Sequence, residues 1–310
     1  MMVLALFAML QDDTLTIVRG ADLTRAGERV VSSAVTVAPF DEAVLSWNAT
    51  GTWVFELRVM IGTAWSPWCA IGRLDGAKQS SVKAEYEGVT VDVDTLVLKE
   101  TATALQVRAG GKGEIRALAV AHYKRKECVR SDERSDSWGR ILEVPTRSQL
   151  VEDASIRGKI CSPTSVAMVL EYFGVKRRTS EIADAVFDAE AKIYGNWPCN
   201  TQVAADLLRG EAYVVKFAGF REVEAEIAAR RPVVISHRWN KGDLTDAPIE
   251  SSDGHLIVVV GFTRDGDVVV NDPAAKPDGV RRTYKRAELF TTWQERAGGI
   301  AYVFRPPERK

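Results

Sequence analysis

The chain has 310 residues, about twice the ~150 that one domain usually takes, so two domains are expected. Its residues are 46% hydrophobic and 27% charged, which excludes a disordered polymer, and a net charge of −1 removes any global case for a nucleic-acid or anionic-membrane partner. Cysteines stand only at 69, 128, 161 and 199, too few for a disulfide scaffold and without the CxxC spacing of a zinc site.

Met1 to Leu10 (MMVLALFAML) is the longest uninterrupted apolar run, and Gln11-Asp12-Asp13 ends it. It falls short of the about 20 residues that cross a bilayer core, so no integral membrane span is expected. The run suits the apolar part of a secretory signal, and residues 1–13 are read as a signal or leader segment. No Lys or Arg precedes it and Leu6-Phe7-Ala8 is a poor cleavage site, so a first strand or a misplaced start stays open. The expected location is secreted, periplasmic or cell-envelope, with the cytoplasm as the alternative.

Residues 14–125 alternate apolar and polar positions in short β-branched runs, as in Trp53-Val54-Phe55-Glu56-Leu57-Arg58-Val59 and Val89-Thr90-Val91-Asp92-Val93. Gly- and Asp-rich breaks recur between them, and no helical period interrupts, which predicts an all-β, sandwich-like domain. Its paired tryptophans, Trp47 with Trp53 and Trp65 with Trp68, fit a sandwich core; exposed, they would instead suit contact with a glycan or a peptide. Residues 126–140 are charged and poor in branched apolars, which predicts a linker. Cys69 and Cys128 could pair in an exported protein, although sequence does not show proximity.

From residue 141 to 310 the period changes. Val166, Val169, Leu170 and Phe173 fall on one helical face, so Ser162 to Phe173 is predicted as a helix stopped by Gly174. Helices are also expected from Thr179 to Ala189, from a cap at Asn200 to Gly210, and from Phe220 to Arg230. Strands follow at Pro232 to His237, His255 to Phe262, Val268 to Asn271 and Ile300 to Phe304. Helices first and then an antiparallel sheet is the α+β order.

Cys161 stands at the start of the first helix, ahead of Pro163. There the unpaired N–H groups and the positive end of the helix dipole favour thiolate, which is the nucleophilic form. A buried structural thiol is the alternative. His255 opens an apolar strand, a rigid mount for a base, and Asp265-Gly266 turns the chain back toward Asn271-Asp272-Pro273. With a two-residue loop Asp272 falls opposite Val259, on the face of His255 but short of it, so contact needs a curl or a bulge. Asn271 is a reserve candidate for orienting the imidazole. His237 ends a strand and Trp197 and Trp239 could line a cleft, with packing as the alternative; Cys199 is expected near that cleft as a structural thiol. No phosphate-binding glycine loop, HExxH or paired-carboxylate spacing occurs, and neither cofactor nor metal is expected.

Val144-Pro145, Ser148-Gln149, Cys161-Ser162-Pro163-Thr164-Ser165, Gly195-Asn196-Trp197-Pro198, Gly254-His255-Leu256 and Asn271-Asp272-Pro273, in this order and spacing, resemble the peptidase C39-like family of papain-like cysteine peptidases. The resemblance runs from about Ile141 to the carboxyl end. It implies a papain-like α+β domain, a peptide or protein substrate, Cys161 as nucleophile, His255 as base and acid, Asp272 orienting the imidazole, and Gln149 as oxyanion donor. The chain departs from the family in a longer gap between Gln149 and Cys161, and in Ser162 where many members carry Gly. The expectation is a cysteine-dependent hydrolase of peptide or amide bonds. Competing readings are another acyl-transfer enzyme, either a cell-wall peptide amidase or a transglutaminase-like transferase, and an inactive binding module on the same fold.

Overall fold

The computed structural model describes residues 14–307; the expected leader segment 1–13 lies outside the described residues. Apart from one short 3-10 turn at Gly20–Asp22, every regular element from Leu15 to Tyr123 is β. Two very long strands, Val35–Ile61 and Thr95–Tyr123, pair antiparallel along their length and carry the shorter strands on their flanks. Glu42 and Ala43 pair with Val97 and Leu96 on one side and with Tyr123 and His122 on the other. The first half is therefore one connected sheet in which the two long strands bend, not two separate sheets. Bulges between Val97 and Leu105 supply the bend. The alternation legible in the sequence holds: Trp53, Phe55, Leu57 and Val59 are buried, while Val54, Glu56 and Arg58 are partly exposed.

That alternation stops at Ala117 to Tyr123, where every residue is buried. Leu118 and Val120 face the core of their own sheet, whereas Ala117, Ala119, Ala121 and Tyr123 join the core of the carboxyl-terminal half. Small side chains on the outer face let the second half approach closely. It does so through the edge strand Glu211–Lys216, whose free side would otherwise expose unpaired backbone groups. Asn48 donates through Nδ2 to Ala212 O at 2.8 Å and accepts from Ala212 N at 3.1 Å, and Ser46 Oγ accepts from Val214 N at 3.3 Å. Gln202 does the same for Ala49, at 3.0 and 2.8 Å.

The second half holds a six-stranded antiparallel sheet in the order Glu211–Lys216, Ile300–Arg305, Val233–Trp239, Ser252–Phe262, Val268–Asn271, Arg281–Tyr284. Helices Cys161–Tyr172, Thr179–Val186 and Trp197–Leu208 precede most of it, and Phe220–Ala228 lies between its strands. The helix Cys161–Tyr172 is central: Ser162 through Leu170 are all buried, so the single apolar face expected from its spacing understates its burial. The third helix starts four residues earlier than expected. Asn196 caps it, its Oδ1 accepting from Cys199 N at 3.0 Å, and Asn200 sits inside with Nδ2 donating to Asn196 O and Tyr194 O.

Residues 126–140 have no helix or regular strand, yet they are tied along the second half. Val129 N donates to Ala218 O at 2.7 Å, Ser137 Oγ to Glu224 O at 2.7 Å, and Gly139 N to Phe262 O at 3.0 Å. No helix among the described residues is long and apolar enough to cross a membrane.

Candidate active site

Cys161 is the first residue of its helix and is only partly exposed. Burial alone would raise its thiol. A hydrogen bond from His255 and the charge of that imidazole outweigh burial, backbone N–H groups of Leu256 and Ser162 add to them, and the thiol falls below its ordinary value. The helix itself is anchored to the strand of His255 by Ser165 Oγ, which donates to Leu256 O at 3.0 Å.

His255 is 3% exposed, and its Nε2 lies 2.8 Å from Asp272 Oδ1. That bond leaves Nδ1 for the thiol. Burial works against a charged imidazole here, but the Asp272 carboxylate beside it dominates, with Cys161 adding, and His255 is pushed up to about 10. Asp272 is fully buried, a cost that is offset by His255, by Tyr284 OH donating to Oδ2 at 2.6 Å and by Ala274 N donating to Oδ1 at 2.9 Å. The carboxylate consequently sits well below the usual range. Tyr284 was not legible as a site residue; its only sequence signal is a Tyr closing the short run Arg281-Arg282-Thr283-Tyr284.

The strand register brings these groups together. The hairpin loop has three residues, Thr263 N donating to Asp267 O, with Gly266 at φ 88° in the left-handed region that a bulged loop requires. A second irregularity falls between Val259 and Gly261. Together they set Asn271 opposite Val258, so Asp272 continues toward Ile257 rather than Val259, two residues nearer His255 than a two-residue loop gives. The face is the one expected; the added reach comes from the bulge. Asn271 faces the other way, donating through Nδ2 to Val144 O at 3.2 Å and accepting from Arg281 Nε at 2.6 Å, so it does not orient the imidazole.

A cleft of about 430 Å³ opens over the thiol, lined by Cys161, Tyr194, Trp197, Ser236, His237 and Leu256 among others. His237 pairs with His255 across the two strands, their rings 5.6 Å apart. Burial, with His255 adding, lowers His237 to about 3, so one imidazole is held charged and its neighbour neutral. Thr292 Oγ1 donates to Leu289 O, which leaves it to accept from His237 Nδ1 at 3.3 Å. Trp239 stacks on His237 at 4.6 Å and meets His255 edge-on at 5.7 Å, forming a buried aromatic wall behind the imidazole.

Gln149 lies beside the turn after Asp272, its N–H donating to Pro273 O at 2.9 Å. Its Oε1 is buried without a partner among the described residues, and Gln149 is not one of the residues lining the cleft. Cys199 is buried away from that lining, and burial pushes its thiol far up, as for a structural thiol. All four cysteines are unpaired: Cys69 belongs to the core of the first sheet, while Cys128 packs against the other core. Trp47 and Trp53 are buried; Arg58 lies 4.6 Å over both Trp65 and Trp68, and Arg108 lies 4.3 Å over Trp68. No group of three or more metal-ligating side chains is assembled among the described residues.

A family model described as the Peptidase C39 like family matches residues 141–300. Two solved structures are similar: a C39-like peptidase from Bacillus anthracis, 18% identical, covering 55% of this chain and 99% of that one at a TM-score of 0.42; and a double glycine motif protease from an AMS/PCAT transporter in complex with the leader peptide, 20% identical, covering 55% and 95% at 0.35. No curated protein matches the chain.

Proposed function

The chain belongs to the peptidase C39-like family, and from that premise we propose that it is a cysteine-dependent hydrolase of peptide or amide bonds. The observation that carries this reading is the buried relay Tyr284–Asp272–His255 ending on a thiol at a helix start, open to a cleft. The Cys161 thiolate attacks the carbonyl carbon and the His255 Nδ1 proton passes to the leaving amine, giving a thioester and a free amine. His255, now neutral, takes a proton from water; the hydroxide attacks the thioester, releasing a carboxylic acid, which gives its proton to the freed amine in solution, and restoring the thiolate–imidazolium pair. Asp272 keeps the imidazole in the tautomer and orientation this exchange needs. The Cys161 backbone N–H and the Gln149 carboxamide, the latter by the family resemblance, are the proposed oxyanion donors.

Three measurements test this. Cys161→Ala abolishes peptide turnover and the labelling of position 161 by a thiol-reactive probe, which leaves the partly exposed Cys128 as background, while Gln149→Ala lowers kcat by about 10²–10³-fold. Equal labelling of wild type and Cys161→Ala refutes the nucleophile. Product analysis in the presence of an added amine distinguishes hydrolysis from transfer. Export is supported by the apolar run Met1–Leu10, and finding an intact Met1 on sequencing the amino terminus of the protein isolated from its native host would overturn it. A glycan or peptide contact by the first sheet would have to use Trp65 or Trp68, whose rings are already stacked with the chain's own Arg58 and Arg108. Retention of the chain on an immobilised glycan, lost in Trp68→Ala, would establish it.

A further inference from the structure

The cleft over Cys161 carries an unbalanced set of charges. Although acids and bases are nearly equal over the whole chain, the lining contains Arg125, Lys159, Lys192 and Arg238 and a single acid, Asp253. These four cations come from four separate stretches: the strap after the first sheet, the loop just before the nucleophile, the loop ahead of the third helix, and the end of strand Val233–Trp239. Most of the buried and half-buried cations elsewhere are neutralised, as Arg108 is by Glu56 and Arg305 by Glu226. Within the cleft only Arg125 has an acidic partner, Glu42 at 3.1 Å. Lys159, Lys192 and Arg238 are exposed and have no ion-pair or side-chain hydrogen-bond partner among the described residues. Between them the lining is apolar: Ile193 and Trp197 are open or partly open to the same space, and Leu256 borders it while itself buried.

We propose that the substrate is an acidic peptide, with an apolar residue on the Ile193–Trp197 surface and flanking Asp or Glu side chains met by Lys159, Lys192 and Arg238. This rests on the hydrolase reading for its chemistry but not for its binding surface. A peptide carboxylate supplies the missing partner for each free cation. Cations on several sides of an opening also concentrate an anionic ligand there before it docks. The preference is electrostatic and solvent-exposed, so salt screens it.

Binding is read first, by calorimetry on the Cys161→Ala chain with acetylated, amidated peptides that share one apolar core and differ only in Glu, Gln or Lys flanks. Amidation removes the terminal carboxylate, so any preference belongs to the side chains. The Glu peptide is expected to bind at least about tenfold tighter than the Lys peptide at low salt, and less than about threefold tighter at 0.5 M salt. Lys192→Glu combined with Arg238→Glu reverses the order. Equal binding of the three peptides, or a Glu preference that survives the double reversal, overturns the proposal. Wild-type turnover is then measured on the same peptides. Selective binding of the Glu peptide without turnover or Cys161 labelling would remove the hydrolase reading while leaving acidic recognition standing.

Discussion

His255 and Cys161 fix each other's charge, and the pH behaviour of the site follows from that. The first step draws on the proton that His255 carries in the free enzyme, so kcat/KM should hold through neutrality and fall as pH rises toward about 10. The acid limb should lie below the ordinary thiol value of about 8.5, because the thiolate survives there. An alkaline limb near 7 would contradict the charged pair. The same groups report on stability. His255 is raised on folding, so its contribution is complete below its unfolded value near 6.5 and is lost as pH climbs through about 10. Asp272 is depressed, so its contribution is present above an unfolded value of about 3.9 and is lost in acid. The gap in urea midpoint between wild type and Asp272→Asn should therefore be widest between roughly pH 4 and 6.5.

At the level of elements, the site depends on a bulged hairpin and on the strap packed against it. Gly261 lies at the bulge, where an added Cβ would sit 2.1 Å from Arg140 O and 2.7 Å from Ile141 Cα. Both obstacles are backbone, and that backbone is tied to the same strand by Leu142 N donating to Val260 O at 2.8 Å. Gly261→Ala should cost about 1–3 kcal/mol in chemical denaturation and lower turnover by displacing Asp272. Three of the four expected helix starts, the strand Val268–Asn271 and the parity that puts Asp272 on the face of His255 were legible in residue spacing. The bulge was not, since one unpaired residue leaves no pattern of its own. Glu211–Lys216 and Arg281–Tyr284 escaped for a related reason: both are short strands at the ends of the sheet, held by pairing to one neighbour more than by a long apolar run.

Taken as one body, the molecule has two sheets whose cores meet along the alanine face of Thr95–Tyr123. Asn48 closes the edge of the second sheet with a paired donor and acceptor, both buried. Asn48→Ala leaves the Ala212 N–H and C=O unpaired and should cost about 1–3 kcal/mol for each group. Calorimetry should show the two halves unfolding in one transition; a separate low-temperature transition in wild type would argue that the seam is weak. The structure thus gives the first sheet a definite task, that of covering an exposed strand edge, whatever else it binds.

Local chemistry settled a good deal in advance. A thiol placed before a proline-marked helix start, a lone histidine opening an apolar strand and an aspartate beyond a turn dipeptide were legible as candidates through spacing, because helix and strand periods are properties of neighbouring residues, while their roles were read only from the resemblance to the C39-like family. What the linear text could not contain is anything set by contact between distant segments. Tyr284 on the carboxylate, the neutral His237 beside the charged His255, the unpaired cations around the cleft and the seam at Asn48 all join parts of the chain that only packing brings within a few ångströms. Charge, burial and hydrogen-bond partnership depend on that packing, so the tertiary structure alone decided them.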